Sequence, residues 1–182
     1  MSNEVALIAA ARKGSVAAFT DLVQSYRPGL FRFLLTRSPS YADAEDALQD
    51  TLINAYRYLH SYDARWRFST WLYRIAINNV AKLRSAETVE FGDLRDERSD
   101  PLAFCIADSD RQNLWQCARR RLTDEVFTAM WLRYAEDMSV NDISAVLERS
   151  ASWTKVNLLR GRRILESELG NYANDDKSKA YG

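Results

Sequence analysis

Three stretches of this 182-residue chain hold residues able to do chemistry. The first lies at 65–84. No acidic side chain occurs between positions 64 and 86, while Arg65, Arg67, Arg74, Lys82 and Arg84 interleave with aromatic rings. Rings that stack on unpaired bases, with cations that follow a backbone, suit single-stranded nucleic acid. Phe68, Trp71, Leu72, Ile75 and Ala76 are spaced for burial, so Trp66, Tyr73, Asn78 and Asn79 are the better candidates for exposed recognition. The second stretch is Asp43-Ala-Glu-Asp-Ala-Leu-Gln-Asp-Thr-Leu52. Asp43, Asp46 and Asp50 share one helical face, and Leu48 and Leu52 share another. Such a face is either solvated or docks on a basic partner. The third stretch is 149–165, where Thr154, Leu158, Gly161 and Leu165 mark one face. Arg149, Ser150, Lys155, Arg160, Arg162 and Arg163 lie off it. A short amphipathic helix, a turn and a basic helix describe a helix-turn-helix. A basic face on an ordinary bundle would give the same pattern.

Enzymatic chemistry is not indicated. His60 is the only histidine, no glycine-rich phosphate loop occurs, and no nucleophile–base pair is evident. Cys105 and Cys117 read as core or linker residues, since two cysteines without CxxC spacing make neither a disulfide framework nor a zinc site. No catalytic residue, metal or cofactor is expected.

The positioning elements follow from periodicity and caps. A short helix at 4–12 precedes one that starts after Ser15 and runs to about Arg37, with Pro28 kinking or splitting it. Ser40 caps a helix from Tyr41 to about Leu59. A loop at 60–67 leads into a helix from Phe68 to about Arg84. Residues 86–109 carry seven acids against Arg95 and Arg98, plus Gly92 and Pro101, and read as an acidic linker. A second helical block covers 110–121, 124–136, 140–147 and 151–169, with Thr123, Ser139 and Ser150 as caps. Residues 170–182 are polar and expected to be disordered. The expected fold is all-α, with two small helical domains (1–85 and 110–169) joined by the linker, the second a helix-turn-helix. The formal net charge is zero, which excludes a uniformly basic binder but permits cancelling patches. No apolar run reaches the roughly 18–20 residues of a membrane span, and the first residues lack a basic n-region. No membrane insertion and a cytoplasmic location are expected.

The acidic stretch resembles the polymerase-binding helix of sigma factors, which commonly reads close to D-A-E-D-L-V-Q-E-T-F. Phe68-x-x-Trp-Leu-x-x-Ile-Ala-x-Asn78 is similar to the promoter-melting helix that follows it. Leu122, Leu132-Arg-Tyr134, Ile143, Leu147 and Lys155-x-x-Leu-x-Arg-x-Arg162 resemble the C-terminal helix-turn-helix. Order and spacing match the extracytoplasmic-function (ECF) class over roughly 15–169. The resemblance implies a non-catalytic sigma factor that brings core RNA polymerase to promoters and assists melting. Asp43, Glu45, Asp46, Leu48, Gln49, Asp50 and Leu52 would bind the beta-prime clamp helices. Arg65, Trp66, Arg67, Tyr73, Arg74, Asn78, Asn79, Lys82 and Arg84 would bind the minus-ten element. Arg149, Ser150, Ser152, Trp153, Lys155, Arg160 and Arg163 would read the minus-thirty-five element, with their domain on the beta flap. An anti-sigma protein is a further candidate partner. Departures from the pattern are Glu148 where glycine is usual in the turn, Trp153 near a frequent threonine, Lys82 for aspartate and Phe127 for arginine. A helix-turn-helix regulator working without polymerase is the alternative; it accounts for the last block alone.

Overall fold

Serine caps and one proline decide where the first helices begin. In the computed structural model, which describes residues 2–90 and 109–180, every regular element is helical and no strand occurs among these residues. Side-chain surroundings are described for 3–80 and for most of 114–167. The chain divides into two compact units, Met1–Cys105 and Ile106–Gly182.

In the first unit, α1 (Ser2–Arg12) is followed by α2 (Val16–Gln24). The Ser15 hydroxyl accepts the Ala18 N–H at 3.2 Å, satisfying a donor that the helix itself leaves unpaired. Of the two outcomes expected at Pro28, a kink or a split, the chain takes the split. Pro28 sits in the first turn of α3 (Arg27–Leu35), where its missing N–H costs nothing, and the chain breaks just before it. α4 (Tyr41–Tyr58) starts at Ser40, whose hydroxyl accepts the Asp43 N–H at 3.1 Å and donates to Asp43 Oδ2 at 2.6 Å. A 3-10 turn (Leu59–Ser61) and a short loop lead to α5 (Phe68–Glu90).

α4 packs on α3 and α5. Its inward residues Ala44, Ala47, Thr51 and Ala55 are small and fully buried, which lets the neighbouring helices approach closely. Leu30, Phe33 and Leu34 of α3 and Phe68, Leu72 and Ala76 of α5 fill the space between. α5 passes the expected end near Arg84 and continues through 86–90, because nothing in that segment interrupts an established helix and propagation is cheap once a helix exists. The rest of the expected linker, 91–108, lies outside the described residues.

In the second unit, α6 (Ser109–Arg121), α7 (Asp124–Tyr134), α8 (Val140–Leu147) and α9 (Ala151–Ala180) surround one core. α7 is its centre: Val126 through Leu132 are all buried, with Phe127 and Trp131 packed against Trp115 of α6. Phe127 is thus a core residue. Thr123 occupies the cap position of α7 but makes no side-chain cap bond. α9 runs to Ala180, through 170–180 where polarity suggested disorder; no proline stands in that stretch to stop it.

Gly161 marks the closest approach of α9 to α7. A Cβ there would lie 3.0 Å from Met130 Sδ and 3.3 Å from Val126 Cγ1. Gly161→Val is expected to destabilise the second unit by about 1–3 kcal/mol, the usual cost of overpacking a filled core. Thermal melts of the full chain check this; an unchanged profile would show that the contact is not tight.

Candidate nucleic-acid interface

The loop between the 3-10 turn and α5 is built from three sides. The Arg12 guanidinium of α1 donates from Nε to the Leu59 carbonyl at 3.2 Å and from Nη2 to the Tyr62 carbonyl, and it lies 5.7 Å from the Tyr62 ring centre. The Tyr62 hydroxyl donates to the Trp66 carbonyl at 2.6 Å. Tyr62 also stacks edge-on against Phe68 and tilts against Trp71, at 5.5 Å each. Burial, with the Glu4 carboxylate nearby as a smaller cause, pushes the Tyr62 hydroxyl pKa up. Tyr26 is pushed up as well, first by burial and then by the 2.5 Å hydrogen bond it donates to Glu4. Both phenols therefore stay neutral donors at ordinary pH.

On this platform Trp66 presents 42% of its surface, with Arg65 and Arg67 exposed beside it. Arg65 donates to Asp63 from its side chain at 2.6 Å and from its backbone N–H at 2.9 Å, and these bonds hold the Asp63 carboxyl below its usual range. The Arg65 charge is thereby partly offset, which makes Arg67 the stronger cation of the pair for a phosphate. Arg74 and Asn78 are exposed on α5.

Two expected recognition residues belong elsewhere. Tyr73 is 1% exposed and packs edge-on against Phe33 at 5.4 Å. It is a core residue, because α5 packs against both α3 and α4 and so buries a broad arc. Asn79 is half-buried and braces α5 on α4: Asn54 Nδ2 donates to its Oδ1 at 3.1 Å, and its own Nδ2 donates to Thr51 Oγ1 at 3.4 Å. Lys82 and Arg84 fall on α5, but their side chains lie outside the described residues.

On α4, Asp43, Glu45, Asp46, Gln49 and Asp50 are exposed, joined by Ile53, which sequence reasoning passed over. Leu48 and Leu52 point the other way and are 6% and 9% exposed, so they hold the helix rather than present it. Leu48 reaches the surface only as wall of a cleft of about 290 Å³ shared with Phe31 and Tyr41.

In the second unit α8 and α9 form a helix-turn-helix. Ser139 caps α8, accepting the Asp142 N–H at 3.1 Å and donating to its carboxylate at 2.5 Å. The buried face of α8 centres on Ile143 and Val146, with Val140, Ser144 and Leu147 at its half-buried margin. Glu148 closes the turn in the left-handed region at φ 54°, the conformation that favours glycine. Ser150 starts α9 by accepting the Trp153 N–H at 3.1 Å. The Ser144 and Thr154 hydroxyls meet at 2.8 Å and lock the two helices together. Thr154, Leu158, Gly161 and Leu165 are all buried, as their spacing predicts.

Ser152, Lys155, Arg160 and Arg163 are exposed on α9. Arg149 is exposed but engaged: it donates to Glu125 at 2.5 Å and lies 5.6 Å from the half-buried Trp153 ring. This pair braces the entry to α9 against α7. Sequence reasoning also missed Val156 and Leu159, which are exposed opposite the buried stripe.

Among the described residues, no three potential ligands gather at a metal-binding spacing, and no helix is long and apolar enough to cross a membrane. Residues 22–88 match the Sigma-70 region 2 family, a span that takes in α4, the loop and most of α5. Over most of its length the chain is similar to curated sigma factors. It is 27% identical to the ECF RNA polymerase sigma factor SigW of Bacillus subtilis, covering 87% of this chain and 92% of SigW. It is 28% identical to the ECF RNA polymerase sigma-E factor of Escherichia coli K12, covering 90% and 92%. Among solved structures, CnrH in complex with the cytosolic domain of CnrY shares the fold, with TM-score 0.71, 22% identity, and 94% and 99% of the two chains covered. RpoE of Bartonella quintana, bound to the anti-sigma factor NepR, gives TM-score 0.65 at 20% identity over 85% and 98%. Region 2 is thus matched directly, and over most of its length the chain is similar to whole ECF RNA polymerase sigma factors.

Proposed function

We propose that this chain binds core RNA polymerase, directs it to a specific set of promoters and helps to open them. The observation that carries the reading is the coexistence, within the first unit, of an exposed acidic face on α4 and an aromatic–cationic loop before α5. A helix-turn-helix regulator acting alone needs neither. The chain supplies no bond-making group in this reading, since RNA synthesis belongs to the polymerase.

The parts are assigned as follows. Residues 1–85 serve as the core-binding and minus-ten domain, 86–109 as the linker and 110–169 as the minus-thirty-five domain. Asp46, Gln49 and Asp50 face a basic coiled coil of the polymerase, where opposite charge speeds encounter and fixes register. Trp66 and Arg67 capture unpaired minus-ten bases and backbone, with Arg74 and Asn78 along α5. α9 enters the upstream major groove, with Lys155, Arg160 and Arg163 supplying the phosphate contacts that position it. The anti-sigma factor NepR bound to the solved RpoE neighbour supports a regulator of that class for this chain.

The test is in vitro transcription from a genomic promoter library by core polymerase, with and without the chain. The expected result is a discrete set of transcripts that requires both components. Tight duplex binding by the chain alone, with no polymerase-dependent transcripts, would support the regulator instead.

A further inference from the structure

The outward side of α9 carries two exposed aliphatic residues where a purely electrostatic DNA helix would be polar throughout. Thr154, Asn157, Leu158, Gly161 and Leu165 define the buried side. At 100° per residue the opposite side is the stripe Ser152, Val156, Leu159 and Arg163. Val156 is 55% and Leu159 48% exposed, at the middle of that stripe. Lys155 and Arg162 flank it on one side and Arg160 on the other, all exposed. Cations on both sides with a branched aliphatic between them match one surface: phosphates lining a groove whose floor carries a methyl group. In duplex DNA that methyl is the C5-methyl of thymine, displayed only in the major groove.

We propose that Val156 is a specificity-determining residue that reads a thymine methyl in the upstream promoter element, with Leu159 closing over the same or the adjacent base pair. The idea rests on the assignment of α9 to the major groove. The two Cα atoms differ by about 4.5 Å along the helix axis, close to the roughly 3.4 Å spacing of successive nucleotides, so at most two neighbouring thymines are within reach. Ser152, one turn earlier and nearer the helix start, takes the polar base edge next to them. The discrimination is modest and local, because it depends on one methyl group in contact with one side chain.

The experiment replaces thymine by uracil, which removes the methyl and leaves the pairing edge unchanged. Holoenzyme reconstituted from the full chain and core polymerase selects duplexes from a library randomised over the upstream element, prepared once with thymine and once with uracil in its place. The expected result is a preference for thymine over uracil of about three- to five-fold at one position or two adjacent positions, the value of one buried methyl. In Val156→Ala that preference disappears, whereas Lys155→Ala lowers binding across all sequences and keeps it. Uracil-insensitive selection, or a preference that survives Val156→Ala, overturns the proposal while leaving the sigma assignment standing. Holoenzyme that forms but selects no upstream sequence overturns the placement of α9 in the major groove, and the proposal with it.

Discussion

Reversing Asp46 and Asp50 together to lysine is expected to weaken binding to core polymerase on the order of 100-fold, about 3 kcal/mol, because like charges facing each other across an interface cost several kcal/mol. Both carboxylates are exposed on α4. Asp43 is left unchanged in this design because it holds the Ser40 cap, and losing it would mix helix stability into the result. Leu48 and Leu52 are unsuitable probes for the same reason, since shortening them would open the core. The melting temperature of the double mutant should stay near that of the parent, as surface substitutions usually change stability by only about 0.5 kcal/mol. The loss should also shrink at high salt, where exposed charges are screened. Core binding that is undiminished in a folded double mutant would remove α4 from the polymerase interface.

The same helices show what periodicity can and cannot reveal. The buried stripe of α9 was legible because Thr154, Leu158, Gly161 and Leu165 repeat at three and four residues, a spacing that only one face of a helix satisfies. The same stripe fixes Val156 and Leu159 on the far side, yet two aliphatics there are easily counted as core. Tyr73 failed for the converse reason. A tyrosine next to Arg74 in a basic stretch suits the surface, but α5 is packed by both α3 and α4, and only tertiary structure reveals how wide an arc that buries. Asn79 is a related case: its amide bonds to Asn54 and Thr51 lie 25 and 28 residues away, beyond any local pattern. The loop clamp by Arg12 spans 47 and 50 residues and left no local trace either. Caps, in contrast, act over three residues, so Ser15, Ser40, Ser139 and Ser150 were all readable. Acidity and helicity proved to be separate properties, since α5 carries its helix through Glu87 to Glu90.

The separation of Asn78 from Asn79 and of Trp66 from Tyr73 sharpens the expectation for promoter melting. Opening a duplex is unfavourable unless released bases find stacking partners and the exposed backbone finds cations. Trp66 supplies an exposed ring on a loop that Arg12, Tyr62 and Phe68 hold in place, so little ordering is left to be done when a base arrives. Trp66→Ala is expected to reduce open-complex formation by roughly 5- to 150-fold, the range of one base–aromatic stack of about 1–3 kcal/mol. Initial closed binding should change little, because polymerase and α9 contacts remain. The fold should survive, since the Tyr62 hydroxyl bonds to the Trp66 backbone carbonyl, which alanine keeps. Asn78→Ala should act in the same direction with a smaller effect and an unchanged melt. Asn79→Ala should behave differently: it strips partners from Asn54 and Thr51 and should lower stability by about 1–2 kcal/mol, with any melting defect following from that loss. Permanganate reactivity of minus-ten thymines measures opening, and thermal melts of the three variants separate recognition from bracing. If folded Trp66→Ala protein opens promoters with unchanged permanganate reactivity, the loop before α5 is not the surface that captures the melted strand.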